Sequence, residues 1–205
     1  MMQSPLAHPV ELKQIDYTFE SKQPTRTTKN APVFAVLPSG IVTGHVECCN
    51  KVVNKEIIEL QDGRKAVSFE LDALDVESKT TVTQDTKCFN KAMKTNPPFY
   101  VRYTASIPRN QEDGPRVNTY TSDFNIVSKN SAETLMARSL SATLTRTKKQ
   151  VSHMKEDTES PANREAISKD TGGEIAAKIV YGTTTLDSLL EDITESLIQI
   201  ETQAT

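Results

Sequence analysis

Tryptophan is absent from the 205 residues, and only five tyrosines and six phenylalanines stand in for it. An interior built from this chain therefore relies on Val, Ile and Leu, with Phe as its usual ring. The three cysteines, Cys48, Cys49 and Cys88, are an odd number without the spacing of a disulfide-held domain. Cys48 and Cys49 are neighbours, and neighbours on a strand point to opposite faces, so they are poor partners for each other or for one metal. Free thiols in a reducing compartment are the simplest reading. None of the histidines, His8, His45 and His153, has ligand spacing to a cysteine pair, so no metal is expected.

Catalytic signatures are missing as well. There is no HExxH, no Cys-x-x-Cys and no Gly-rich phosphate loop, since Gly172-Gly173 runs into EIAAK. His45 reads as a partly buried strand residue, and the histidines together offer no preferred base. Neither an enzyme nor a cofactor is expected. No stretch approaches the roughly 20 apolar residues that span a bilayer, and the opening MMQSPLAHPVELKQ lacks the basic-then-apolar order of a signal peptide. The expectation is an intracellular protein, cytoplasmic or nuclear and off the membrane, with a viral origin left open.

The formal net charge of −3 averages two unlike parts. Residues 1–155 carry 21 Lys and Arg against 16 Asp and Glu, whereas residues 156–205 carry 3 against 11. A basic body with an acidic tail fits nucleic-acid contact, charge pairing within the chain, or assembly through opposite patches. It also suggests a tail that competes with nucleic acid for a basic groove.

Along the chain, residues 1–32 form an N-terminal arm, with a short strand candidate IDYTFE before the loop-like SKQPTRTTKNAP. Residues 33–128 form a β-rich body. Its first strand-like runs are separated by Pro38-Ser39-Gly40, and Asp62-Gly63 between two extended runs is a hairpin cue. Val67, Phe69 and Leu71 alternate with Ala66, Ser68 and Glu70, which gives one buried face. An edge strand and a short helix around 86–93 follow, ended by Pro97-Pro98. FYVRYTASI and VNTYTSDFNIV are further strands. Residues 129–155 read as a helix with a basic end at Arg146, Lys148 and Lys149, which either contacts nucleic acid or pairs with the acidic terminal helix. Residues 156–184 read as a linker and 185–202 as an acidic amphipathic helix.

The segment GHVECCNKVVNKEIIELQDGRKAVSFELDALD, followed by FYVRYTASI and NTYTSDFNIV, resembles OB-fold domains, which bind single-stranded oligonucleotides. The expected fold is a β-rich α+β chain, a small antiparallel OB-like barrel with C-terminal helical segments. A sandwich or a partly open mixed sheet would produce the same alternation. The resemblance implies a surface that joins cations for phosphates to rings for bases. Phe99, Val101 and Tyr103 take the core face, which leaves Tyr100 and Arg102 toward solvent. Lys87, Lys91 and Lys94 share one helical side, Arg64 and Lys65 flank the hairpin turn, and Arg109 and Arg116 flank a polar loop.

In the terminal helix Leu186, Leu190, Ile193, Leu197 and Ile200 recur at intervals of four, three, four and three. That is the spacing of a coiled-coil seam or of a helix docked in a groove. A helix with about two heptads needs a partner surface, whether a second copy, the same chain or another protein. Two classes stay open. One is a non-enzymatic, oligomeric single-stranded nucleic-acid-binding protein. The other is a structural or assembly protein, such as a viral or scaffold component, that self-associates through the body and the terminal stripe.

Overall fold

The extended runs His45–Glu59 and Lys65–Asp72 form a hairpin around Asp62-Gly63. Gly63 has φ +79°, a conformation that a side chain would resist. The Arg64 amide donates to the Asp62 carboxylate at 3.1 Å, and the Leu60 amide donates to the Arg64 carbonyl at 2.8 Å. The computed structural model describes residues 4–15, 18–20, 33–72, 78–106, 117–156, 167–168 and 171–203. In chain order the elements are α1 (Pro9–Leu12), β1 (Thr18–Glu20), β2 (Val33–Leu37), β3 (Ile41–Thr43), β4 (His45–Glu59), β5 (Lys65–Asp72) and β6 (Ser78–Thr83). They are followed by α2 (Phe89–Lys94), β7 (Phe99–Ser106), β8 (Val117–Val127), α3 (Lys129–Glu156), α4 (Gly173–Val180) and α5 (Thr183–Gln203).

Five strands pair in the cyclic order β4-β5-β6-β8-β7. Four of these ladders are antiparallel, and the fifth, β6 with β8, is parallel. The small antiparallel barrel expected over residues 33–128 is therefore corrected. The sheet is mixed, and residues 33–43 stand outside it, in a separate three-stranded sheet β1-β2-β3. Side-chain alternation has the same period in either strand direction, so it does not report direction. Direction follows from the long connection through α2 and β7, of the kind that parallel neighbours need. The parallel pair is joined on its inner side by hydroxyls: Thr119 Oγ1 donates to Thr80 Oγ1 at 2.9 Å, and Thr80 Oγ1 lies 2.6 Å from Thr121 Oγ1.

Phe69 lies at the centre of the core, with Phe99 and Phe124 edge-on to it at centroid distances of 5.5 and 5.9 Å. Valines 46, 52, 67, 82 and 101 pack in the same core, together with Ala92 of α2. Lys55 secures α2 by donating to the carbonyls of Met93 at 3.1 Å and Thr95 at 2.8 Å, a cation at a helix C-terminus.

The terminal stripe is met within this chain. Leu189 and Ile193 of α5 are buried against Leu140 of α3 and Val10 of α1, with Leu144, Leu197 and Ile200 packed around them. Leu186 is also buried, and Leu190 is half-buried. Residues 173–180, read as linker from the sequence, form α4, whose Ala176, Ala177 and Val180 pack with Val36 of β2. Eight residues are too few for apolar periodicity to separate a short helix from a loop.

Glu11 is fully buried and joins three elements. It accepts from the Ser39 amide at 3.3 Å and from Thr143 Oγ1 at 3.1 Å, and it lies 3.6 Å from the Arg146 guanidinium. Arg146 also donates to Ser39 Oγ at 3.1 Å and to the Leu6 carbonyl at 3.2 Å. Burial raises the Glu11 pKa, and hydrogen bonding from Ser39 and Thr143 with the charge of Arg146 offsets this only in part. The folded state thus holds this proton more tightly than the unfolded chain. The cost of the charged carboxylate is full above the folded pKa and is relieved as pH falls through it.

Two outcomes follow for stability. Glu11→Gln removes that pH dependence from denaturant unfolding, whereas Glu11→Ala strands Arg146 and the Ser39 amide and costs about 3 kcal/mol. Ile193→Asp undocks α5, read as faster proteolysis within 183–203 at unchanged particle mass; a fall in particle mass instead would mean that the stripe joins two copies.

Candidate nucleic-acid interface

The β4–β5 turn and the outer sides of β6 and β8 line a groove of about 930 Å³. On β6 the residues Ser78, Thr80 and Val82 are buried, so Thr81 and Thr83 face outward into the groove. Across the parallel ladder Thr81 pairs with Tyr120, which on its other side pairs with Ser106. Tyr120 is 45% exposed and stands amid a row of hydroxyls.

Arg64 stands at the hairpin end of the groove. Its Nε and Nη2 reach Asp62 Oδ2 at 2.8 and 2.6 Å, and its Nη1 pairs with Asp85. Hydrogen bonds from Arg64 hold the Asp62 carboxyl below its usual range, and the same bonds raise the guanidinium pKa. Glu59 adds a further carboxylate to the lining. Lys65 follows Arg64 in the chain and Lys87 follows Thr86, a lining residue; both lysines are exposed. Mutual bonds tie their segments together, from the Gln84 amide to the Lys65 carbonyl at 3.0 Å and from the Lys65 amide to Gln84 Oε1 at 3.2 Å.

Of the residues expected from the sequence, Arg64 lines the groove, and Lys65 and Lys87 lie beside lining residues in the chain without lining it themselves. Tyr100 is half-buried and lines a second cavity closed by residues of α3 and α5. Arg102 is exposed but paired with Glu47 at 2.7 Å. Lys91 donates to the Phe124 carbonyl at 3.2 Å and lies 4.8 Å from the centre of that ring. Lys87 precedes α2, so Lys87, Lys91 and Lys94 do not share one helix; Lys94 is exposed in its last turn. Arg109 and Arg116 lie outside the described residues.

Tyr120 is the residue that sequence reasoning missed. Strict alternation from the buried Phe124 sends Tyr120 inward. The register between β7 and β8 shifts after the Thr104–Asp123 pair, so that Ala105 meets Thr121, and Ser122 and Asp123 are both exposed in succession. This irregularity turns Tyr120 out and Thr121 in. A parity count carries no signal of such a shift.

The basic end of α3 is engaged with other parts of the chain. Arg146 serves Glu11, and Lys149 pairs with Glu174 of α4 at 2.6 Å. Lys13 pairs with Asp192 of α5 at 2.8 Å. Residues 171–203 of the acidic tail contribute nothing to the lining of the groove. His45 is exposed, not partly buried as expected. Burial pushes the Cys48 thiol up to about 12 and the Cys49 thiol to about 11, so neither is a thiolate at neutral pH. Among the described residues no group of three His, Cys, Asp or Glu side chains is placed to hold a metal ion, and no helix is long and apolar enough to cross a membrane.

No family model matches this chain, and no curated protein matches it. Thirteen chains among solved structures do. One is from the crystal structure of the S. pombe Stn1-ten1 complex, 12% identical, covering 67% of this chain and 88% of that chain at a TM-score of 0.47. The similarity is weak and partial, and at that level it carries no functional argument.

Proposed function

We propose that this chain binds single-stranded nucleic acid, without catalysis, in the groove beside β6 and β8. The observation that carries the reading is the exposed Tyr120, set among hydroxyls and next to the Arg64 turn. An unpaired base stacks on the ring, and the backbone runs toward Arg64 at the hairpin end, the combination of ring and cation that strand-binding surfaces use. OB-fold domains, which the sequence of the body resembles, bind through their second and third strands and the nearby loops; of the corresponding parts here, β6 and the β4–β5 turn line the groove and β5 does not. Hydroxyls and a ring do not select a sequence, so the binding is tolerant of base identity.

Charge limits the affinity. Arg64 is shared by two carboxylates, and a phosphate must compete with both. Exposed ion pairs of this kind are individually weak, so competition succeeds at low salt and fails as salt rises. Assembly through the α5 stripe is not adopted, because Leu189 and Ile193 would have to leave Leu140.

Fluorescence anisotropy with labelled single-stranded and duplex oligonucleotides tests the proposal. Single strands bind more tightly than duplex, and Tyr120→Ala weakens them about 5- to 100-fold, the worth of one stacked base. Tyr100→Phe leaves affinity unchanged. Asp85→Asn releases one side of Arg64 and strengthens binding about two- to fivefold, a gain that disappears in an Arg64→Ala background. Equal affinity of wild type and Tyr120→Ala overturns the reading.

A further inference from the structure

A second cavity, of about 370 Å³, lies between the five-stranded sheet and the helices and shares no lining residue with the groove. Its size falls in the range of small-molecule sites. His8 forms part of its wall and is itself only 3% exposed. The Nδ1 of His8 accepts from the Val10 amide at 3.3 Å as the N-cap of α1, so the ring proton sits on Nε2. That N–H has no partner among the described residues. Burial lowers the His8 pKa to about 4, so near pH 7 the ring is a neutral donor.

Two lysines face the same space. Lys51 lies 3.7 Å from Asp72, and Lys129 lies 3.5 Å from Glu133. Both separations exceed the roughly 2.7–2.9 Å of a charge-assisted hydrogen bond, so the ammonium groups keep donors to offer. Lys129 is also the first residue of α3, a 28-residue helix with no acidic residue in its first turn. The positive end of that helix is thus not neutralised from within. Tyr100, Met136 and Ile200 supply the less polar part of the wall.

We propose that this cavity takes a small phosphorylated ligand, with the phosphate held by Lys51, Lys129 and the His8 N–H at the N-terminal end of α3, and the body against Tyr100, Met136 and Ile200. A metal cation is the wrong occupant, because each carboxylate of the wall already faces a lysine and the helix end repels positive charge. Residues of the sheet, α3 and α5 all line the cavity, so an occupant stabilises the docked helices by mass action. The inference does not depend on nucleic acid binding in the groove.

The test uses the full chain with inorganic phosphate, AMP and adenosine, read by ³¹P line broadening and by the thermal midpoint. Phosphate and AMP give saturable responses and raise the midpoint by a few degrees, and adenosine gives none. Lys51→Ala, Lys129→Gln and His8→Asn each weaken the response at least tenfold. Asn is itself a good N-cap, so His8→Asn removes the ring donor while keeping α1, and Lys129→Gln changes an exposed helix position if His8→Asn does not fold. Tyr120→Ala leaves the response intact. A midpoint that climbs without saturation and equally in all variants is the general stabilising effect of phosphate and overturns the proposal. So does a response lost in Tyr120→Ala, which places the ligand in the groove.

Discussion

Glu11 has no contact with solvent, yet it joins α1, the turn between β2 and β3, and α3 through one carboxylate. Such a group costs stability unless its oxygens are satisfied, and here a backbone amide, a hydroxyl and a guanidinium share them. The junction fixes where the long helix α3 lies. The position of α3 fixes that of α5, whose apolar stripe has Leu140 and Val10 as its partners. One carboxylate thereby decides which side of the five-stranded sheet is closed by helices and which stays open.

That division separates the two tyrosines. Tyr100, on the helix-covered side, is part of a wall shared with α3 and α5. Tyr120, on the other side, lies among the hydroxyls and the hairpin turn that line the groove. The charges follow the same division. Among the described acids of the tail, Asp192 and Glu174 pair with Lys13 and Lys149 on the helical side, and residues 171–203 do not line the groove. What tempers the groove is local, the two carboxylates that share Arg64.

Much of the body was legible in the sequence wherever a local signal was also the global one. Asp62-Gly63 announced a hairpin because a tight turn needs that chemistry. Phe69 announced the core, although Ala66 and Ser68, read as the other face of that strand, are buried too, and the stripe from Leu186 to Ile200 announced a helix that needs a partner surface without saying whether that surface is a second copy, this chain or another protein. The parallel pairing of β6 with β8 was not legible, since strand direction is a property of the connection and not of the strand. Neither was α4, whose eight residues are fewer than the window over which a helical period can be read. Tyr120 escaped for a sharper reason: one register shift near Ser122 reverses the parity that a count from Phe124 would give it. A parity count sends Tyr100 toward solvent, whereas it is half-buried, because helices from elsewhere in the chain cover that side and nothing in strand spacing signals them.

Hydrogen-exchange protection with and without a single-stranded oligonucleotide tests the central claim most directly, because it reads both sides of the sheet at once. The account predicts added protection in 59–64, 81–86 and 120–122, and none in 99–103 or 183–203. Protection that appears instead around Tyr100, accompanied by faster exchange in α5, would mean that the helices open to admit the ligand and would contradict it.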